Sequence, residues 1–81
     1  MNAEIYTKDN CPYCTRAKKL FEKENISYIE LNAVINRDIL IERVTEETGV
    51  APRTVPQIWV DEKYIGGYDQ LVEWIESTKK R

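Results

Sequence analysis

Cys11 and Cys14 are the only cysteines of the 81-residue chain, and Pro12 and Tyr13 stand between them. Two thiols at this spacing can close into a disulfide and be reduced again, and the attacking species in such an exchange is the thiolate. A helix N-terminus stabilises an anion by about 0.3–1 kcal/mol, up to ~2, which lowers a thiol pKa by roughly one unit. The pair therefore predicts a thiol-disulfide redox site at the start of a helix.

The two sulfurs are not expected to be equivalent. Cys11 precedes the expected first helical turn, where a sulfur can be exposed, whereas Cys14 shares an inward-facing helical stripe with Ala17 and Phe21. We expect Cys11 to attack a disulfide and Cys14 to resolve the resulting mixed disulfide. Free backbone N–H groups at the helix start and the nearby cation of Lys8 are expected to stabilise the Cys11 thiolate further.

Hydrophobic periodicity predicts the elements that position this dithiol. Short apolar or alternating runs predict four strands, and apolar residues three and four apart predict three helices. The predicted strands cover residues 4–6, 26–31, 57–60 and 63–65, and the predicted helices cover about 12–24, 37–48 and 70–78. Asn36 is the expected cap of the second helix and Gly49 its expected stop. The first two strands should pair in parallel across a helix, and the last two should form a hairpin, although Asp61-Glu62 is a weak turn pair.

Composition argues against several other functions. Twelve basic and 14 acidic residues give a net charge of −2, so no large basic field attracts nucleic acid. The chain has no histidine, the commonest neutral metal ligand, and no metal site is predicted. No apolar run reaches the ~18 residues of a membrane helix, and the opening residues lack a secretory leader. We expect one domain over residues 1–81 in the cytoplasm, where a structural disulfide, the alternative role for the pair, is rare.

The run Cys11-Pro12-Tyr13-Cys14 resembles the active site of dithiol glutaredoxins. Two later segments resemble the same family, Arg-Thr-Val-Pro-Gln-Ile at residues 53–58 and Gly-Gly-Tyr-Asp at residues 66–69. Three motifs in this order, across most of the chain, are far more specific than a lone Cys-x-x-Cys. The resemblance implies an α/β, thioredoxin-like fold in which three helices flank a four-stranded mixed sheet, with a glutathione groove beside the dithiol.

The resemblance also implies how glutathione binds. A cis peptide bond before Pro56 would turn the Val55 backbone toward the groove, where it can pair with the cysteinyl part of glutathione as an added strand. Lys8, with Tyr13, would meet the glycine end, and Asp69 would meet the ammonium of the γ-glutamyl end. The implied glutathione-binding residues are Lys8, Tyr13, Thr54, Val55, Pro56, Gly67, Tyr68 and Asp69.

Several of these residues have simpler roles open to them. Lys8 can be plain surface charge, Asp69 can be the N-cap of the third helix, and Gly66 and Gly67 can form only a turn. Gln70 departs from the family pattern, since many relatives carry a second aspartate at that position.

The resulting expectation is a glutathione-dependent thiol-disulfide oxidoreductase that reduces protein disulfides and glutathione mixed disulfides. Glutathione would be a co-substrate, and no permanently bound cofactor is expected. The implied protein partners are disulfide-containing or glutathionylated proteins, ribonucleotide reductase among them, and the chain is expected to be a monomer that binds neither nucleic acid nor membrane. Two alternatives stay open: a redoxin recharged by thioredoxin reductase, and a carrier of a [2Fe–2S] cluster held through Cys11 by two chains and two glutathiones.

Overall fold

The computed structural model of the protein describes residues 1–79. Four strands and three helices are present, and each overlaps its predicted segment. In chain order they are β1 (Asn2–Thr7), α1 (Pro12–Lys23), β2 (Ser27–Asn32), α2 (Arg37–Thr48), β3 (Gln57–Val60), β4 (Lys63–Gly66) and α3 (Tyr68–Lys79). The bounds of α2 are those predicted, whereas α3 begins two residues earlier than predicted.

The strands form one mixed sheet in the order β2-β1-β3-β4. β1 pairs with β2 in parallel and with β3 antiparallel, so Ile5 lies opposite Glu30 on one side and Ile58 on the other. β3 and β4 form the predicted antiparallel hairpin. Because β1 and β2 are parallel, their carboxyl ends lie at the same edge of the sheet. The chain passes from the end of β1 to α1 at this edge.

The alternation of side chains along the strands gives the sheet two apolar faces. Ile5 and Ile58 are fully buried against α1 and α3, while Tyr6 and Trp59 are buried on the face that packs against α2. The first cluster consists of Ala3, Ile5, Ala17, Phe21, Ile26, Ile58, Val60, Leu71 and Ile75. The second cluster consists of Tyr6, Ala33, Leu40, Val44 and Trp59.

The inward stripe predicted for α1 is confirmed, since Cys14, Ala17 and Phe21 are buried. This stripe rigidly ties the first turn of α1, and with it the dithiol, to the sheet.

Asn36 is the N-cap residue of α2 as predicted, but the prediction that its side chain caps the helix is wrong. Its side-chain amide donates to the Asn32 carbonyl (2.9 Å) and makes no capping bond. The Asn32 side chain instead accepts from the backbone N–H groups of Val34 and Ile35, at 2.8 and 2.9 Å. The stop is as predicted, because Gly49 has the left-handed conformation (φ 83°) that closes a helix.

None of the helices described in residues 1–79 combines the length and apolar character that a bilayer crossing requires. Lys79 lies in the last turn of α3, and its ammonium pairs with Glu24, the C-cap residue of α1 (2.8 Å). Lys80 and Arg81, which were expected to complement the dipole of α3, lie outside the described residues. That residues 1–81 form a single domain stays a prediction.

Candidate active site

The dithiol lies where α1 begins. Cys11 is the N-cap of α1 with extended backbone (φ −116°, ψ 98°), and Pro12 occupies the first helical position. Pro12 lacks an N–H and has a preset φ, so it fits a position where an N–H would have no partner within the helix. Cys11 and Cys14 form a disulfide whose Cα atoms are 5.2 Å apart.

The Cys11 sulfur receives a direct hydrogen bond from the helix start. The backbone N–H of Cys14 donates to Cys11 Sγ over 3.2 Å. This donor is one of the free N–H groups expected at the helix N-terminus, and it points at the atom that would carry negative charge after reduction.

The two sulfurs differ in exposure as predicted. Cys14 is 2% exposed and packs on the inward side of α1, whereas Cys11 is partly exposed. An incoming disulfide can therefore reach Cys11 Sγ and not Cys14 Sγ.

A loop before β3 faces the dithiol. The Val55–Pro56 peptide bond is cis, as expected, and the Val55 carbonyl oxygen lies 3.8 Å from Cys11 Sγ. The sulfur of a disulfide has no proton to donate, so this approach is a van der Waals contact in the oxidised protein. The contact brings the backbone of residues 54–56 next to the reactive sulfur.

A hydrogen-bond chain that the sequence did not predict holds this loop. The Tyr64 hydroxyl on β4 donates to Gln57 Oε1 (2.6 Å), and Gln57 Nε2 donates to the Thr54 carbonyl (2.9 Å). Gln57 is buried, and burial, followed by repulsion from Glu47, raises the pKa of the Tyr64 hydroxyl. The only feature of the sequence that pointed to this series of hydrogen bonds was a glutamine within an otherwise apolar strand.

One groove collects seven of the eight predicted glutathione-binding residues. Its volume is about 270 Å³, and it runs from Tyr13 past the 54–56 loop to the start of α3. The lining residues are Tyr13, Thr54, Val55, Pro56, Gly67, Tyr68, Asp69 and Gln70. We call it the α3 groove.

Lys8 is the predicted residue that lies elsewhere. It lines a neighbouring groove of about 290 Å³, together with Arg37 and Arg53. Thr54 and Val55 border both grooves, so the loop forms the ridge between them. Lys8 and Tyr13, which were assigned to the same end of glutathione, thus lie on different sides of this ridge.

Two aromatic rings form the outer edge of the α3 groove. Tyr13 is 51% exposed, and its ring centroid lies 5.8 Å from that of Tyr68. The Arg16 guanidinium lies over the Tyr13 ring at 5.2 Å, a cation–π distance. An exposed tyrosine that contacts a second ring and a guanidinium gives a ligand an amphipathic surface.

The start of α3 is capped by Gln70. Because α3 begins at Tyr68, the N-cap position belongs to Gly67 and not to Asp69, which lies in the first turn. Gln70 Oε1 accepts from the Gly67 N–H over 3.0 Å, which is the N3-to-N-cap half of a capping box. This bond accounts for the earlier start of the helix and gives the departure at Gln70 a structural role.

A third, larger cleft opens beside the dithiol at the carboxyl ends of β1 and β2. Its volume is about 820 Å³, and both cysteines line it. Within it, Glu30 Oε2 accepts from the Thr7 hydroxyl (2.6 Å) and from the Lys18 ammonium (3.0 Å). The Thr7 bond, followed by the Lys18 bond, lowers the pKa of the Glu30 carboxyl. We call this the β-edge cleft.

Comparison with known proteins agrees with this arrangement. The glutaredoxin family profile matches residues 3–65. The chain belongs to the glutaredoxin family. It is 45% identical to glutaredoxin 3 of Escherichia coli strain K12 over 74 residues, which cover 86% of this chain and 81% of that protein.

Two solved glutaredoxin structures superpose well on the chain. Reduced Escherichia coli glutaredoxin gives a TM-score of 0.76 at 32% identity, with all of both chains covered. A buckwheat glutaredoxin solved in complex with glutathione gives 0.76 at 30% identity, over 95% of this chain and 70% of that one. The thioredoxin-like fold expected from the resemblance is confirmed. As a glutaredoxin, the chain is a thiol-disulfide oxidoreductase with a glutathione-linked redox function.

Proposed function

We propose that this glutaredoxin reduces protein disulfides and glutathione mixed disulfides through Cys11 and Cys14, with glutathione as co-substrate. The supporting observation is the position of Cys11 Sγ, which receives the Cys14 N–H at 3.2 Å and lies 3.8 Å from the Val55 carbonyl at the head of the α3 groove. The buckwheat relative in complex with glutathione supports the same ligand class.

In this proposal, glutathione crosses the loop ridge. Its cysteinyl backbone pairs with Val55 as an added strand, so that its sulfur meets Cys11 Sγ. Its γ-glutamyl end lies at the N-terminus of α3, where backbone N–H groups favour a carboxylate and Asp69 favours the ammonium. Its glycine carboxylate reaches toward Lys8 on the other side of the ridge, where Arg37 and Arg53 add positive charge.

The chemistry is two successive thiol-disulfide exchanges. The Cys11 thiolate attacks one sulfur of the substrate disulfide, and the other sulfur leaves as a thiolate that takes a proton from water. The resulting mixed disulfide on Cys11 is then attacked by the Cys14 thiolate or by a second glutathione. In the Cys14 route, the second substrate sulfur leaves as a thiolate, takes a proton from water, and the dithiol ends as the Cys11–Cys14 disulfide. In the glutathione route, the second glutathione attacks the glutathionyl sulfur on Cys11, Cys11 leaves as a thiolate, and the oxidised product is glutathione disulfide.

The first experiment tests which electron donor the protein uses. NADPH oxidation would be followed during reduction of a glutathione mixed disulfide, first with glutathione and glutathione reductase, then with thioredoxin reductase in place of both. Turnover in the first system alone is expected. Turnover in the second system alone would contradict the proposal and favour a redoxin that does not use the α3 groove.

The roles of the two cysteines are tested by serine variants. Cys11→Ser should abolish both activities, because it removes the sulfur that the substrate reaches. Cys14→Ser should keep deglutathionylation, which a second glutathione completes, and lose reduction of protein disulfides. Equal losses in the two variants, measured with both substrates, would contradict this division of roles.

We further propose a monomer that acts in the cytoplasm, holds no permanent cofactor and reduces ribonucleotide reductase among its protein substrates. The reducing poise of the cytoplasm fits a dithiol that must be recharged after every turnover. Reduction of oxidised ribonucleotide reductase by the NADPH, glutathione and glutathione reductase system should depend on added protein. A rate that does not depend on it would remove this substrate from the proposal.

A further inference from the structure

We propose that Lys18 is a positioning residue for the resolving step, in which its ammonium, fixed in the β-edge cleft by Glu30, favours the Cys14 thiolate that attacks the mixed disulfide. The inference rests on the proposed function, because it assumes that Cys14 resolves. It deepens that function by naming the group that sets how readily the dithiol closes.

The resolving step needs a proton to leave Cys14. The Cys14 thiolate attacks Cys11 Sγ, the bond between the two protein sulfurs forms, and the bond from Cys11 to the substrate sulfur breaks. The substrate leaves as a thiolate and is protonated by water, so the substrate is reduced and the dithiol is oxidised. Cys14 is 2% exposed, and the chain has no histidine to serve as a neighbouring base.

Four ionised side chains line the cleft with Cys14. Lys8 and Asp9 follow β1, Lys18 lies on α1, and Glu30 lies on β2. Asp69 on α3 belongs to the separate α3 groove. Lys8 and Asp9 are both exposed, so solvent and salt screen their charges.

Lys18 is the cation that the fold holds in place. It lies four residues after Cys14 on α1, and residues at this spacing share one face of a helix. Its ammonium is bound to Glu30 at 3.0 Å, and the buried Thr7 holds the same Glu30 oxygen at 2.6 Å. Lys18 and Cys14 line the same cleft, and a cation beside a buried thiol favours the thiolate.

Glu30 is a poor candidate for the base itself. Its Oε2 already accepts two hydrogen bonds, and these bonds favour the ionised carboxylate. A carboxylate with this bias holds a proton far less readily than a thiolate does. Its role in the proposal is to hold Lys18, while its own negative charge partly offsets the effect of that cation.

The direct test is the pKa of Cys14 in a Cys11→Ser background, followed by the ¹³Cβ chemical shift of labelled cysteine as pH is raised. Adding Lys18→Met should raise the pKa by about half a unit, roughly a threefold loss of thiolate near neutral pH. Lys18→Arg should restore the pKa. Lys19→Met is the matched control, because it removes the same charge from an exposed position on the same helix and should leave the pKa unchanged.

Glu30→Gln separates a charge effect from a structural one. It keeps an oxygen that accepts from Thr7 and Lys18 but removes the anion, so the Cys14 pKa should fall. Opposite shifts in Lys18→Met and Glu30→Gln are the expected result. An unchanged pKa in Lys18→Met, or shifts in the same direction in both variants, would overturn the proposal.

A kinetic test uses the protein with both cysteines. Reduced protein would be mixed with glutathione disulfide and quenched with acid, so that mass spectrometry separates formation of the mixed disulfide from its closure. Lys18→Met should slow closure about threefold at neutral pH and slow the attack of Cys11 less, because Cys11 lies seven residues before Lys18 and Cys14 only four. If Cys14 does not resolve at all, the Cys14→Ser variant will keep protein-disulfide reduction, whereas failure of the Lys18 proposal alone will leave the closure rates equal.

Discussion

At the scale of single residues, the site depends on two backbone N–H groups, one at the start of α1 and one at the start of α3. At α1, the Cys14 N–H donates to Cys11 Sγ. At α3, the Gly67 N–H donates to the Gln70 side chain, which lines the α3 groove. The first donor faces the reactive sulfur. The second is already bonded to a side chain, so a ligand carboxylate arriving there must compete with the Gln70 amide.

Gln70→Ala should therefore change stability and ligand affinity in opposite directions. Losing the bond to Gly67 should lower the free energy of unfolding by about 0.5–1 kcal/mol. The freed N–H should lower the KM for glutathione, because the carboxylate no longer displaces an internal partner. Thermal melts and the coupled assay measure both quantities, and Ser77→Ala, exposed on the same helix, is the control. A raised KM would mean that Gln70 itself binds glutathione.

Residue-level prediction succeeded where chemistry is local and failed where partners are distant in sequence. The exposure difference between Cys11 and Cys14 followed from helical periodicity, and the cis bond at Pro56 followed from the family resemblance. The support of the loop by Tyr64 through Gln57 was not predicted, because it depends on which side chains the β3–β4 pairing brings together. Glu30 and Lys18 meet for a similar reason, since they belong to different elements.

At the scale of elements, the β3–β4 turn is the clearest conflict between sequence and backbone. Asp61 and Glu62 both have positive φ, 50° and 68°, as a two-residue hairpin turn of type I′ requires. Asp61 compensates, since its carboxylate accepts the Asn2 N–H (2.9 Å) and its own N–H donates to the Asn2 carbonyl (2.8 Å). Glu62 has no comparable side-chain bond within the described residues.

Glu62→Gly should stabilise the protein by about 0.5–1 kcal/mol, because glycine adopts positive φ without the steric cost that a side chain carries there. Urea unfolding at pH 7 measures the change. Glu62→Ala is the matched control, since it removes the same charge and keeps the Cβ atom. If both variants gain equally, the cost at this position comes from the carboxylate and not from the backbone.

The elements themselves were largely predictable because each carries its own period and its own stop. Gly49 ends α2 by local geometry, and Pro12 starts α1 in the same way. The start of α3 was misplaced because its first turn depends on a side chain three residues ahead, Gln70, which no periodicity shows. Asn36 stands at the predicted N-cap of α2 but makes no capping bond, because its side-chain amide donates to the Asn32 carbonyl at the end of β2.

At the scale of the whole molecule, polar links join the layers around the two apolar clusters. Arg43 on α2 donates to Glu4 and Tyr6 on β1, and its guanidinium lies 4.0 Å from the centroid of the Trp59 ring. Glu30 and Tyr64 add links at β2 and β4, the two edge strands of the sheet. Because titratable groups make several of these links, the stability of the fold must depend on pH in both the acidic and the alkaline range.

The direction of each dependence follows from the sign of the pKa shift. The Glu30 pKa is lowered in the folded protein, so its contribution is present above its unfolded value near 4.5 and is lost as pH falls through the folded pKa. The Tyr64 pKa is raised from 10.0, so its contribution is present below that value and is lost as pH rises through the folded pKa. Stability should be flat between these limits as far as the two groups determine it.

Glu30→Gln and Tyr64→Phe should therefore lose stability in different pH ranges. At pH 7 both variants should unfold more easily than the parent, since each loses a favourable contribution, and Tyr64→Phe leaves Gln57 Oε1 without the donor at 2.6 Å. The deficit of Glu30→Gln should shrink as pH falls below 4.5 toward pH 3, because the parent progressively loses the same contribution there. The deficit of Tyr64→Phe should persist at pH 3 and shrink only above about pH 10. Urea unfolding of the parent and both variants at pH 3, 7 and 10.5 measures the deficit of each variant at each pH. A deficit that stays constant across the series would show that the group's ionisation is not linked to folding.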